Sequence, residues 1–563
     1  MTQKVREVIA DYLGNSGTKM VFALMGATNQ KLMCDLGERL KIRLIHCRHE
    51  AGAVGMADGY ARFSEQKGVA TVTAGPGVTN TATSLAVAHY HRSRVLLLAG
   101  DLPDNDQRNP QRFEQDAFSR LCAGNSTRIE DPARIYEALH AVDNALADDR
   151  PFVLHLPLNI QEMHAPANES GHELRDTPTS PGPVPHAIES ELAKAAALLC
   201  KAQRPAVLAG RGALGSRRQL IELARLVGAP LMTTLRAAGL FAGESLEAGI
   251  AGAIGDGRAE AVLEKTDFLL AVGTSLHPFT ISAFIKRSNL PDIVRIDSSD
   301  PLDDENLCRV DIRAEASVGI QKLLEQSVKF RHSVPVTPWQ YDNAHFLLDR
   351  YFEPEFEKRT KNALNPLDVL GAVRELLPKQ RLLVIGGGHS SLSACQMLPA
   401  SGPHDFTCVS TDFAAIGQAL AVAIGACFAR PGERVFHVTA DGELLMALAE
   451  LHTAIRYQLS LTIIILNDHG FGQERHSLAH AGHPVHYATH PSPDFATLAE
   501  ALGAQSYSIT KPAELALLKS AFNHQQGVVV VDISIDPDFL NPASQHVAAV
   551  MAQHASPVTG KIN

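Results

Sequence analysis

Short apolar runs closed by Gly or Asp, with intervening residues at helical spacing, recur along the whole chain. KMVFALMG at 19–26, VATVTAG at 69–75 and PFVLHLPLNI at Pro151–Ile160 read as buried strands, after an opening amphipathic helix at Val5–Leu13. A polar, proline-bearing stretch from Gln161 to about His186 marks a linker. RPAVLAGRGAL, DFLLAVGTSL and DIVRIDSSD form a second set of strands ending near Gln326, and a helical connector is predicted from Trp339 to about Lys361. A third set runs from Pro366 to about Pro537. The pattern predicts an α/β protein of three consecutive open parallel-sheet domains, at 1–165, 187–330 and 366–540, with a tail at 541–563.

One segment of the third set is the most specific. VFHVTADGELLMALAELHTAIRYQLSLTIIILNDHG places Asp441 and Asp468 directly after two apolar runs. Between them Leu444, Ala447, Leu448, Leu451 and Ile455 recur at helical spacing, so the runs are predicted to be parallel neighbours joined by a crossover helix. Both acids then lie on one sheet edge, where open parallel sheets hold their ligands, and together suit a hard divalent cation carrying phosphate oxygens. An Asp after a strand also serves as an ordinary helix cap. Gly442, Gly470 and Gly472 beside the pair favour a ligand, because the backbone there can approach one closely.

Composition narrows the partners. Of the 563 residues 45% are hydrophobic and 20% charged, ordinary values for a large globular enzyme. A net charge of −10 without a basic run argues against nucleic acid, and no apolar stretch reaches membrane-spanning length. Eight scattered cysteines without a C-x-x-C pair suit a reducing cytoplasm. Gly210-Arg211-Gly212-Ala213-Leu214-Gly215 fits the dinucleotide fingerprint, yet no strand-ending acid follows about twenty residues on, so it reads as a tight turn.

Ala440-Asp441-Gly442 with Asn467-Asp468 resembles the diphosphate-anchoring motif of thiamine diphosphate enzymes, Gly-Asp-Gly followed at a fixed interval by Asn-Asn. Arg48-His49-Glu50, the following ADGYAR and Thr73–Asn80 resemble the pyrimidine-binding domain of the same family. The resemblance implies thiamine diphosphate and Mg2+, the metal held by Asp441, Asp468 and the Gly470 carbonyl. Glu50, otherwise a simple complement to its helix dipole, would bond the aminopyrimidine ring, with Gly75, Pro76 and Asn80 nearby. In the family that Glu and the diphosphate site come from different subunits, which implies a homodimer or homotetramer. Asp412–Gly417 is similar to the segment that bends the coenzyme, with Ile416 as the wedge and the Ala414 carbonyl accepting from the exocyclic amine. Gly387, Gly388, His389 and Ser390 would contact pyrimidine or diphosphate, His389 having a solvated loop position as its alternative. Two positions depart from the pattern: Ala440 replaces Gly, tolerable at negative φ, and Asp468 replaces Asn, adding a charge.

On the substrate side the resemblance points to Met25, Ala27, Thr28 and Asn29, and to Gln473 and His476 after the metal loop. Glu474 aligns with an active-site Glu of pyruvate decarboxylases, the plainer reading being a solvated helix face. Gln115 is a loose counterpart of a Gln in acetolactate synthases and benzaldehyde lyase. The decarboxylases' acid is absent at Ala27, and their paired histidines are absent from Gly100–Asp106. His476 and His480 have zinc spacing but no carboxylate partner. The implied activity is acetolactate synthase-like: making or breaking C–C bonds beside a carbonyl in small substrates. A 2-hydroxy ketone lyase, a dione hydrolase, an acyl-CoA lyase and a silent coenzyme binder are the alternatives, and FAD or ADP in the central block stays open.

Overall fold

The computed structural model describes residues 3–167, 186–255, 257–281, 290–299, 307–330 and 363–541, with 302, 304, 339 and 544. The predicted connector beyond Trp339 and nearly all of the tail lie outside these residues, as does 168–185 of the linker.

Three six-stranded sheets follow one another, and every described strand pairing is parallel. The first comprises β1 (Met20–Ala23), β2 (Arg43–His46), β3 (Gly68–Val72), β4 (Val95–Asp101), β5 (Ser126–Arg128) and β6 (Phe152–Pro157), in the order β2-β1-β3-β4-β6-β5. The central sheet holds β7 (Pro205–Ala209), β8 (Leu231–Thr233), β9 (Glu247–Ile250), β10 (Phe268–Val272), β11 (Asp292–Asp297) and β12 (Val310–Arg313), ordered β12-β11-β10-β7-β8-β9. The third contains β13 (Leu382–Ile385), β14 (Phe406–Cys408), β15 (Val435–Ala440), β16 (Leu461–Asn467), β17 (Gln505–Ile509) and β18 (Val528–Ser534), ordered β14-β13-β15-β16-β18-β17.

The first and third sheets therefore have the same strand order. Each reverses direction between its first and third strands, the point where open α/β sheets form a crevice at the strands' carboxyl ends. At that crevice the first sheet presents the loops after β1, β2 and β3, and the third presents those after β13, β14 and β15. In the central sheet the corresponding point lies between β7 and β10 and is filled by backbone. Gly212 packs so closely on Gly273 that an added Cβ would sit 2.9 Å from its Cα.

The two outer sheets share a core. The helix Glu50–Phe63, rich in small residues, packs on the almost wholly buried helix Ala419–Ala429. An added Cβ at Gly55 would stand 2.7 Å from the Ala421 Cβ, and one at Gly59 would strike the Val422 carbonyl, so the glycines set the approach distance. Apolar side chains from both domains, including Phe22, Ile45, Val422 and Ile463, form one cluster around this contact.

The strand–helix–strand unit is present, with β15 and β16 parallel neighbours. Its crossover is two short helices, Asp441–Met446 and Ala449–Arg456, where one was predicted. The chain turns at Ala447 (φ −118°, ψ 11°), and i to i−3 bonds at Ala447, Glu450 and Leu451 span the break.

Candidate active site

Asp441 leaves β15 at the first position of its helix and is fully buried. Its Oδ2 accepts the Gly470 amide at 3.2 Å and the Ser492 hydroxyl at 2.6 Å. The left-handed backbone of His469 (φ 58°) turns the chain so that Gly470 faces Asp441, and the Asn467 side-chain Oδ1 accepts the His469 amide at 3.2 Å. Asp468 is buried beside Asp441, and burial together with that neighbouring carboxyl pushes its own carboxyl above the usual range. Oδ1 of each acid is buried without a hydrogen-bond partner among the described residues. Two such neighbouring carboxyls in a dry site call for a positive charge between them, a proton or a cation, and the residues present fit a divalent metal. No cluster of three His, Cys, Asp or Glu side chains poised for a metal occurs among the described residues, His476 and His480 included.

Ala440 has φ −98°, a conformation open to any residue. Its methyl is accommodated across the crevice at Gly388 (φ 111°), where an added Cβ would lie 2.6 Å from the Ala440 Cβ. Space lost on one loop is thus left free on the facing one.

Glu443, which sequence reasoning missed, ties the crevice together. Its carboxylate accepts the Gly387 amide at 2.6 Å, the Gly417 amide at 3.2 Å and the Thr439 hydroxyl at 2.8 Å. Burial pushes it up to about 7 against these bonds. The loop after β13 is thereby fastened to the segment carrying Ala414 and Ile416. Ala414 adopts left-handed backbone (φ 55°, ψ 22°) at the end of the helix Ser410–Phe413, a conformation that costs a non-glycine residue about 1–2 kcal/mol. Ile416 packs against Gly387. Beneath them buried Asp412 receives Arg62 at 2.7 Å and His91 at 3.1 Å from the first sheet's domain, and Arg236 at 2.9 Å from the central one. Burial alone would raise the Asp412 carboxyl, but these partners hold it well below the carboxylate range.

The first sheet's groups are arranged differently. Glu50 opens its helix half-exposed and accepts the side-chain amide of exposed Asn80 at 3.0 Å, its one hydrogen-bond partner among the described residues. Pro76 is exposed beside them, while Gly75 is buried with φ 67°. Gln115 is buried: its Oε1 accepts the Gly75 amide at 3.2 Å, and its Nε2 donates to the Gly100 carbonyl at 2.9 Å. Thr28 and Asn29 are likewise turned inward. The Thr28 hydroxyl accepts the Ala74 amide at 2.9 Å, and Asn29 bonds Gly26 and Leu24. These three polar residues build the loops, and of the β1 loop Met25 and Ala27 are the side chains left exposed.

After the metal loop Phe471 is part-exposed and Gln473 half-buried, while Glu474 is exposed on the helix Gly472–His480. His389 is not in solvent. It is buried against His476, the rings tilted by 37° with centroids 4.4 Å apart, and burial pushes it down to about 4. Its Nε2 lies 2.8 Å from the Asn541 amide, so it fastens the chain's last described residues to the crevice. His476 Nε2 is buried without a partner among the described residues.

Comparison with known proteins agrees with this geometry. Three family models match in order: the thiamine pyrophosphate enzyme N-terminal TPP binding domain over residues 3–122, the central domain over 192–323 and the C-terminal TPP binding domain over 386–533. The chain is a thiamine pyrophosphate enzyme. The enzyme is 26% identical over 557 residues to a probable acetolactate synthase large subunit of Methanocaldococcus jannaschii, covering 95% of this chain and 92% of that one. It is 26% identical to the acetolactate synthase isozyme 3 large subunit of Escherichia coli, covering 96% and 95%. It is 24% identical to a putative thiamine pyrophosphate-containing protein of Bacillus subtilis, covering 94% and 91%. The enzyme is thus acetolactate synthase-like along nearly its whole length, and among its described residues no helix is long and apolar enough to cross a membrane.

Proposed function

We propose that the enzyme binds thiamine diphosphate through Mg2+ and joins or cleaves carbon–carbon bonds next to a carbonyl, with decarboxylation of a 2-oxo acid followed by carboligation as its main reaction. The paired orphan oxygens of Asp441 and Asp468 carry this reading. Together with the Gly470 carbonyl they would hold the metal, and the amides of Gly388, His389 and Ser390 would receive the diphosphate or pyrimidine, the Gly387 amide being held by Glu443. When bound, the coenzyme supplies a carbon nucleophile and a sink for the electron pair released on cleavage. Glu50 would hold a proton against the aminopyrimidine ring, the Ala414 carbonyl would accept from its amine, and Ile416 would keep the two rings apart.

Glu50 and Asp441 share no hydrogen-bond partner among the described residues. We assign them to opposite sides of a site completed by a second copy, so the working unit is at least a homodimer. Met25, Ala27, Phe471, Gln473 and the unpartnered Nε2 of His476 would face the small carbonyl substrate. All eight cysteines are free, in keeping with a reducing cytoplasm.

Calorimetry with thiamine diphosphate, with and without Mg2+, tests the binding half, and pyruvate, benzoin and acetoin assays test the chemistry. Metal-dependent uptake with acetolactate formed from pyruvate is expected. Turnover of benzoin alone would make the enzyme a lyase, and no uptake would end the proposal.

A further inference from the structure

We infer that Glu450 is the positioning residue for Glu50, an assignment that rests on the coenzyme reading above. Glu450 belongs to the third sheet's crossover, on the helix Ala449–Arg456, yet its side chain is used in the first sheet's domain. It is buried, at 3% exposure. Its Oε1 accepts the backbone amides of Arg48 at 3.0 Å and His49 at 2.9 Å, the two residues before Glu50. Its Oε2 accepts the Thr453 hydroxyl at 2.6 Å. Gly52 leaves the room this requires, since an added Cβ there would collide with Oε1.

The consequence for Glu50 follows from local geometry. Arg48 and His49 enter the helix Glu50–Phe63, and the His49 ring accepts the Ala51 amide at 3.1 Å as its cap. A carboxylate shielded from water that grips both entering amides fixes the direction from which Glu50 leaves the backbone, and its charge suits a helix N-terminus. Nothing else in the described structure bonds the Arg48 or His49 amide. Without Glu450 two part-buried donors would lose their acceptor, and the half-exposed Glu50 would lose its register. The crossover that begins with Asp441 thus ends by orienting the acid that acts on another copy's coenzyme. Each site would then depend on the third sheet of both chains, one holding diphosphate and the other, through Glu450, holding Glu50.

Three variants and one mixing experiment test this. In coenzyme-free Glu450→Ala, amide hydrogen exchange across residues 46–53 is expected to quicken about 10-fold or more, the loss of roughly one buried hydrogen bond or more. With Mg2+ present its affinity for thiamine diphosphate should stay within about 3-fold of the parent, while deuterium exchange at the coenzyme's thiazolium C2 falls about 10-fold or more, as for a misplaced acid–base group. Glu450→Gln should restore both readouts, because one amide oxygen can take the two N–H bonds that Oε1 takes now. Gly52→Ala, which displaces the carboxylate without removing it, should behave like Glu450→Ala.

In mixed dimers, Glu450→Ala chains should regain activity with Asp441→Asn chains and fail with Glu50→Gln chains, because Glu450 and Glu50 of one chain serve the same site. The opposite pattern, or unchanged C2 exchange in Glu450→Ala, would overturn the assignment. Mixing Glu50→Gln with Asp441→Asn is the control for the shared site. Its failure would sink the dimer reading, and exchange at 46–53 would still decide whether Glu450 holds the segment.

Discussion

The two outer sheets have one strand order and present loops from the same three strand ends, yet the loops are finished in opposite ways. After β13, β14 and β15 the chain is closed inward: Glu443 binds two loops together, Asp441 and Asp468 are buried, and unsatisfied oxygens remain at the acid pair. After β1, β2 and β3 the polar side chains of Thr28, Asn29 and Gln115 are spent on the loops themselves, and Glu50, Pro76 and Asn80 are left at the surface. On the proposed function, one frame would supply a pocket that grips a ligand and a rim that acts when set against a second copy. Topology places both at the strand ends, and the side chains decide which is which.

The sharpest way to break this contrast is to remove one acid from each half. Asp441→Asn should weaken thiamine diphosphate binding in Mg2+ by about 100-fold or more, since a hard cation loses a carboxylate ligand. Glu50→Gln should leave the dissociation constant within about 5-fold and cut turnover by about 10²–10⁴, the usual range for a lost acid–base group. Calorimetry beside steady-state kinetics reads both, and equal damage to binding would show that the halves do not divide the work.

A smaller effect is expected within the pocket. Gly388→Ala puts a methyl against Ala440 and forces a side chain to φ 111°, which should cost about 1–3 kcal/mol in urea unfolding. Adding Ala440→Gly should recover the part due to collision and leave the part due to φ. Full recovery would mean that the backbone strain is negligible.

Last, the halves should respond alike to acid away from the site. His155 of the first sheet and His437 of the third are each pushed down to about 4 by burial. The unfolded chain takes up these protons near pH 6.5 and the native one does not, so stability is complete above about 6.5 and falls as pH drops toward 4. Each contributes on the order of 3 kcal/mol at most. Urea unfolding of the metal-free protein at several pH values, with His437→Gln flattening part of the slope, checks the sign.

Much of this was legible in the sequence. Strand-length runs located β7, β10, β11, β15 and β16, and the acids at the ends of the last two marked the crevice. The shared strand order was not legible, because it lies in non-adjacent pairings that no repeat in the sequence reports. Thr28, Asn29 and Gln115 looked like ligand groups, since a polar loop residue reads the same whether it faces a substrate or a neighbouring amide. Glu443 and Glu450 drew no assignment from the sequence, because an acid on a helix is ordinarily a solvent-facing group. Their spacing held a clue: they fall in one helical stripe with Ala447 and Ala454, so both acids belong to a buried side.

Asp412 has a consequence for how the molecule comes apart. Its carboxylate sits at the edge of the third sheet, while its cationic neighbours Arg62 and Arg236 belong to the other two domains. Were either of those to unfold first, an ionised group in the interior would be stranded, at a penalty of several kcal/mol. Heat should accordingly melt the three domains in a single cooperative step, and cutting the chain between them should leave fragments that stay together.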